Sequence, residues 1–155
     1  MTDLHIKVDI FLSEDKRYIF TRCCFIFESI TIGDFEQVIL GKNLIGALED
    51  LIFRLEEHTS IDCEPDKLEQ TLSSLINSDI RHSCLPLGIE AFDGDMGAFF
   101  SVAGDSYIAL KPWGRNNIFT ENMSASHYLD IITLSKKILA SRIHDLQTDI
   151  NEPFE

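Results

Sequence analysis

Two hydrophobic periods take turns along this chain, and their order restricts the folds open to it. From Leu4 to Leu12, LHIKVDIFL alternates apolar and polar residues, and from Tyr18 to Glu28, YIFTRCCFIFE is rich in β-formers, with SEDKR between them as a turn. A β-hairpin is expected. The following SITIGDFEQVILGKN, punctuated by Gly33 and Gly41, reads as one more irregular strand or as a structured loop. The period then becomes helical. Leu44, Ile45, Leu48, Leu51, Ile52 and Leu55 recur at spacings of three and four behind Asn43, an N-cap residue type. A second helix is expected from Pro65 to Ile76, with proline suited to the first turn, acids near the positive end of the dipole, and Leu68, Leu72, Leu75 and Ile76 as the stripe.

From Leu85 the period returns to two. LPLGIEAF, MGAFFSVAG and SYIALKPW have strand length, with Asp93-Gly94 and Gly104-Asp105 at their junctions, the pattern of an antiparallel meander. Leu129, Ile132, Ile138, Leu139, Ile143 and Leu146 then mark a long amphipathic helix capped by Ser124 or Ser126, and the polar tail TDINEPFE is expected to fray. No repeat or linker divides the chain. The expectation is one α+β domain over residues 1–155, in which helices, including a long C-terminal one, pack on an antiparallel sheet made of the N-terminal hairpin and the central meander.

A chain of 155 residues with 45% hydrophobic content can bury a full core without staples. Its surface is lopsided: 26 acids against 13 bases give a net charge of −13. A field of that sign repels nucleic-acid phosphates and anionic headgroups and attracts basic partners within a Debye length, roughly 8–10 Å. DNA, RNA and membrane binding are thereby disfavoured, although solubility alone also accounts for such a charge. No secretory leader and no apolar run of membrane-spanning length is present, so a cytosolic location is expected. Cys23, Cys24, Cys63 and Cys84 lack metal-binding spacing and should be small, mostly buried thiols.

Asp93-Gly94-Asp95 invites a metal reading. An EF-hand loop counted from Asp93 requires an acid or amide, a glycine and a glutamate where Gly97, Ala98 and Gly104 stand, so the calcium reading fails. A magnesium site on Glu90, Asp93 and Asp95 stays open, whereas Asp-Gly between apolar runs is foremost a turn signal. The histidines are scattered, and His82 with Cys84 has no accompanying nucleophile signature. No GxGxxG, Walker A, GxSxG or HExxH occurs. In KPWGRNN, Trp113 is either an exposed anchor or, more economically, a core residue ending the meander. Between residues 58 and 110 nine acids stand against two bases. Asp62, Glu64, Asp66 and Glu69 gather at the second helix and Glu90, Asp93, Asp95 and Asp105 at the strands and turns beyond it; helix-dipole and turn chemistry explain part of this, and one acidic protein-binding face using both groups is the sharper reading.

LGIEAFDGDMGAFFSVAGDSYIALKPW followed by a long helix resembles the strand, Phe-Asp-Gly turn, strand, Gly-Asp turn, strand and helix pattern of small immunity proteins from bacterial polymorphic toxin systems, including contact-dependent growth inhibition. The early hairpin leading through GKNLIGALEDLIFRL into a helix is similar as well. The likeness spans most of the chain, with Phe92, Asp93 and Gly94 as its most recognisable point. It implies a cytosolic non-enzyme, without cofactor or metal, that binds the C-terminal domain of a cognate toxin and covers its active site or an essential surface. The acidic field suits a basic nuclease as that toxin. The expected contact face is Asp62, Glu64, Asp66, Glu69, Glu90, Asp93 and Asp95, with Trp113 as anchor. Two other classes compete: an acidic secretion chaperone for an effector, and a metal-dependent phosphoryl-transfer enzyme built on Asp93 and Asp95.

Overall fold

A computed structural model describes residues 3–57, 61–78 and 80–151. The expected hairpin forms as strands β1 (His5–Leu12) and β2 (Ile19–Ile26) in unbroken antiparallel register, Leu12 opposite Ile19 and His5 opposite Ile26. Asp15 closes its turn, accepting hydrogen bonds from Ser13 Oγ (2.6 Å) and the Arg17 N–H (3.1 Å). The ambiguous segment that follows is strand and loop at once. Strands β3 (Thr31–Ile32) and β4 (Ile39–Leu40) both pair antiparallel with the far edge of β2, and residues 33–38 loop out between them. Helix α1 (Gly41–Glu57) starts directly after β4, so Asn43 lies inside the first turn instead of capping it. Leu44, Leu48 and Leu51 are fully buried along its stripe.

The second sheet has the order β5-β6-β7-β8. Strand β5 (Ile61–Asp62) runs parallel to β6 (Met96–Val102), and β6, β7 (Asp105–Lys111) and β8 (Phe119–Asn122) form the antiparallel meander. The turn joining β6 and β7 centres on Ala103 and Gly104, both at positive φ (52° and 86°), one residue before the expected position. Helix α2 (Leu68–Ser78) follows a 3-10 turn at Pro65–Lys67; Leu72 is buried beneath it, while the side chains of Leu75 and Ile76 lie outside the described set. Helix α3 (Ala125–Asn151) is capped by Ser124, whose Oγ accepts the His127 N–H at 3.1 Å, and it absorbs the TDIN expected to fray.

One expected strand is absent. LPLGIEAF, the supposed first strand of the meander, is irregular with a single 3-10 turn at Glu90–Phe92; β8 supplies the third strand instead. Pro86 removes a donor and Gly88 sits at φ +78°, so ladder pairing fails, yet Leu85, Ile89 and Phe92 are buried at 1, 7 and 4% exposure. Two helices hold this segment in place. The buried Arg54 of α1 donates to the carbonyls of Ser83 (2.5 Å) and Leu85 (2.9 Å), and Tyr128 of α3 donates its hydroxyl to the Cys84 carbonyl (2.5 Å).

Both sheets share one core. Phe99, Ile108 and Leu110 point into it from the second sheet, while Ala98, Phe100 and Ala109 on the opposite face pack with Leu72 of α2 in a smaller cluster. At the centre stands Tyr128, ringed by Phe25, Phe27 and Phe99 at centroid distances of 6.4, 6.5 and 5.2 Å. All four cysteines are free, three of them buried. No described helix is long and apolar enough to cross a membrane.

The sheets are also joined by Glu121 of β8, which is 7% exposed and stands opposite Ile108. Its carboxylate accepts the N–H groups of Glu28 (3.2 Å) and Ser29 (3.0 Å) and the Ser29 hydroxyl, all beyond the end of β2. Replacing one oxygen by an amide that donates should break part of this joint. Glu121→Gln is expected to cost about 1–3 kcal/mol in urea unfolding, whereas Glu90→Gln, at an exposed side chain, should stay within about 0.5 kcal/mol.

Candidate functional site

Three loops meet where the first sheet's β3 approaches the start of β6. The first leaves β3 through Gly33, at φ +96°. A Cβ at that position would sit 2.9 Å from the Phe92 ring, so the close approach of the loops requires glycine. Asp34 then folds the loop back on itself: its Oδ1 accepts the Glu36 N–H (3.0 Å), its carbonyl accepts Gln37 N–H (3.1 Å), and its own N–H reaches the Ala91 carbonyl at 2.7 Å. The second loop is the 3-10 turn at Glu90–Phe92 continuing through Asp93 and Gly94 to Asp95, with Asp95 N–H on the Phe92 carbonyl (3.2 Å). The third is Pro112-Trp113-Gly114 after β7.

Asp95 ties all three together. Its Oδ2 accepts the Gly33 N–H (3.2 Å) and its Oδ1 the Trp113 N–H (2.9 Å). Between the loops lies an open hollow of about 410 Å³ bordered by Asp34, Glu90, Asp93, Asp95, Pro112 and Trp113, with no basic residue in its lining. Trp113 is 75% exposed, which overturns its expected place in the core. Its indole stands over Gly94, where a Cβ would fall 2.2 Å from the ring.

The electrostatics of the hollow are unfavourable to its own charges. Burial pushes the Asp95 carboxyl above the usual aspartate range; the hydrogen bonds from Trp113 and Gly33 oppose that rise, and the neighbouring Asp34 and Asp93 reinforce it. A folded-state pKa above the unfolded value favours the native state at low pH. That contribution is lost as pH rises through the native carboxyl's titration, so at neutral pH the ionised Asp95 favours the fold less than its protonated form does at low pH.

The structure divides the expected acidic face in two. Glu90, Asp93, Asp95 and Trp113 come together with Asp34. Asp62, Glu64, Asp66 and Glu69 are all exposed and cluster at the other end of β6, because β5 places Asp62 opposite Ser101. Six residues of extended strand separate Ser101 from Asp95, a distance of roughly 20 Å. Within the distal group Lys67 lies 3.4 Å from Glu64, an exposed pair. Asp105 stands on the β6–β7 turn near that distal end. Asp34 escaped the sequence reading, since only a register that returns the chain to β2 brings Gly33-Asp34 beside Phe92-Asp93; the Gly-Asp turn itself was the available signal.

Among the described residues no three His, Cys, Asp or Glu side chains are placed to hold one metal ion. Cys84 is 1% exposed and burial pushes its thiol up to about 12, so it stays protonated at neutral pH. No protein-family model matches the chain, and neither a curated protein nor a solved structure matches it.

If Asp34 and Asp93 repel the Asp95 charge, Asp34→Asn should lower the Asp95 titration midpoint in a carboxyl-carbon NMR titration while keeping an oxygen for the Glu36 N–H. The same variant should melt higher than the parent above that midpoint and match it below. An unmoved midpoint would mean that Asp34 takes no part in raising the Asp95 pKa.

Proposed function

We propose that this chain is a cytosolic immunity protein that neutralises the C-terminal domain of a cognate secreted toxin by binding it, and that the hollow beneath Trp113 receives a basic side chain of that toxin. The observation that carries the reading is the pairing of an exposed indole with four carboxylates and no cation between them. A lysine or arginine entering the hollow removes the repulsion around Asp95, while Trp113 supplies apolar area and a cation–π face. Large aromatic anchors beside desolvated charges set the lifetime of protein complexes, and outlying charges set the association rate. The distal acids Asp62, Glu64, Asp66 and Glu69 fit the second role. The pattern resemblance over most of the chain and the net charge of −13 support the same reading.

Affinity capture of the tagged protein from a strain carrying its native operon, followed by mass spectrometry, tests the function. The expected result is the C-terminal fragment of a large secreted protein at one-to-one stoichiometry, with the secreted protein's toxicity suppressed. An intact effector would point to the chaperone class, and gain of phosphoryl-transfer activity with Mg²⁺ or Mn²⁺ would overturn both.

The two acid clusters separate kinetically. Trp113→Ala should accelerate dissociation by about 30-fold or more, the scale of a truncated hot-spot aromatic. Combining Asp34→Asn, Glu90→Gln and Asp93→Asn should slow association and also shorten the complex lifetime. Glu64→Gln, Asp66→Asn and Glu69→Gln together should only slow association, by a factor that shrinks as salt is raised.

A further inference from the structure

Strand β1 is the outer strand of the first sheet, and among the described residues nothing pairs with its outer edge. Eight residues of exposed edge invite pairing, which proteins ordinarily block with bulges, proline or inward-pointing charge. Here the register with β2 is unbroken and HIKVDIFL contains no proline, so the only such devices are the outer-face charges Lys7 and Asp9, one of each sign. The hydrogen-bond phase of the edge is fixed. The Ser13 N–H donates to the Tyr18 carbonyl one step past the Leu12–Ile19 pair, so the backbone groups of odd-numbered residues face β2. Those of Ile6, Val8 and Ile10 therefore face outward.

We infer that β1 is a homodimer interface, pairing antiparallel with β1 of a second copy about a two-fold axis at Val8. The phase requires outward residues to pair with outward residues, which leaves few registers. An axis at Lys7 sets Lys7 against Lys7, and an axis at Asp9 sets Asp9 against Asp9; like charges directly opposite are destabilising. With the axis at Val8, Lys7 of each copy faces Asp9 of the other, twice, in non-hydrogen-bonded pairs where side chains lie closest. The same register exchanges backbone bonds between the two Val8 residues and between Ile6 and Ile10, and overlaps nearly the whole strand.

The two faces of the edge agree with this placement. Lys7 and Asp9 are exposed on the outer face, while Ile6, Val8 and Ile10 are half-buried on the core side. A groove of about 280 Å³ runs between that apolar side and α3, bordered by Ile138, Leu139 and Arg142. Ile138, which borders the groove, is 51% exposed, and Leu134, one turn earlier on α3, is 59% exposed, large apolar side chains for a second copy to cover. The net charge of −13 per chain opposes association, but at physiological salt that repulsion is screened beyond roughly 8 Å, whereas facing side chains are closer.

The test is light-scattering mass across a dilution series at physiological salt, with thermal melts to confirm folding. The protein should reach twice its 17.6 kDa chain mass at high concentration. Lys7→Asp alone and Asp9→Lys alone should each remain at the chain mass, and the two combined should restore the dimer because the swap recreates both pairs. Hydrogen exchange at Ile6, Val8 and Ile10 should slow as concentration rises, without a matching change at Leu110 in the second sheet. A parent protein monomeric throughout, a dimer indifferent to either single reversal, or a folded double variant that stays monomeric would each overturn the interface.

Discussion

Two acidic side chains accept backbone N–H groups across the gap between the sheets, and the rest of the architecture hangs on those joints. The sheets share no ladder. Glu121 collects the N–H groups beyond β2, and Asp95 collects Gly33 N–H beyond β3, so the β2–β3 turn and the β3–β4 loop are clamped to the second sheet. Hydrogen bonds to charged acceptors contribute more than neutral ones, typically about 1.5–3 kcal/mol. They also fix angle and register, which apolar contact alone does not. Between the clamps the Tyr128 cluster fills the volume, and the Tyr128 hydroxyl and Arg54 guanidinium hold the three consecutive carbonyls of Ser83, Cys84 and Leu85 where the irregular segment begins.

The periodic elements were legible because their signal is local. The hairpin, α1 and its stripe, β6, β7 and α3 all follow from apolar spacing, and the α+β class follows from their order. Residues 85–92 misled because buried side chains at 85, 89 and 92 resemble a strand when Pro86 and Gly88 are discounted. Strand β8 was missed for the opposite reason: Phe119–Asn122 is short and polar, and its central Glu121 is buried only because the first sheet brings donors to it. Trp113 has the composition of a core residue, yet the N–H bond to Asp95 holds its backbone at the rim of the loops. Three of the hollow's four acids were visible as Glu90, Asp93 and Asp95, and Trp113 was visible as a candidate anchor. Asp34 was not, since its place is set by pairing with β2, and the separation of the distal acids is set by the length of β6.

The hollow combines rigidity with electrostatic discomfort. Asp95 is a structural ligand of two N–H groups, and its position in turn holds Asp93 and Trp113 where they stand. The Asp95 carboxylate therefore cannot draw away from Asp34 and Asp93 without breaking these bonds, and their repulsion of it is carried by the folded state. A bound cation relieves it without rearranging the loops, which is the preorganised arrangement that favours binding. The same logic makes Gly33 and Gly94 indispensable: each admits an aromatic ring closer than any side chain would allow.

The position of the hollow relative to β1 decides whether pairing and partner binding compete. β3, which feeds Gly33 and Asp34 into the hollow, and β1 lie on opposite sides of β2. Edge pairing extends the first sheet away from the hollow, leaving Trp113 of both copies accessible, and the two-fold axis gives them equivalent surroundings. The acids work differently in the two places. At the edge one acid is balanced by one base in each strand, so charge selects a register, whereas in the hollow acids stand unbalanced, so charge selects a guest of opposite sign. One chain can thus be self-complementary along β1 and strongly non-complementary to itself at Trp113, and the second property keeps the hollow free for a different molecule.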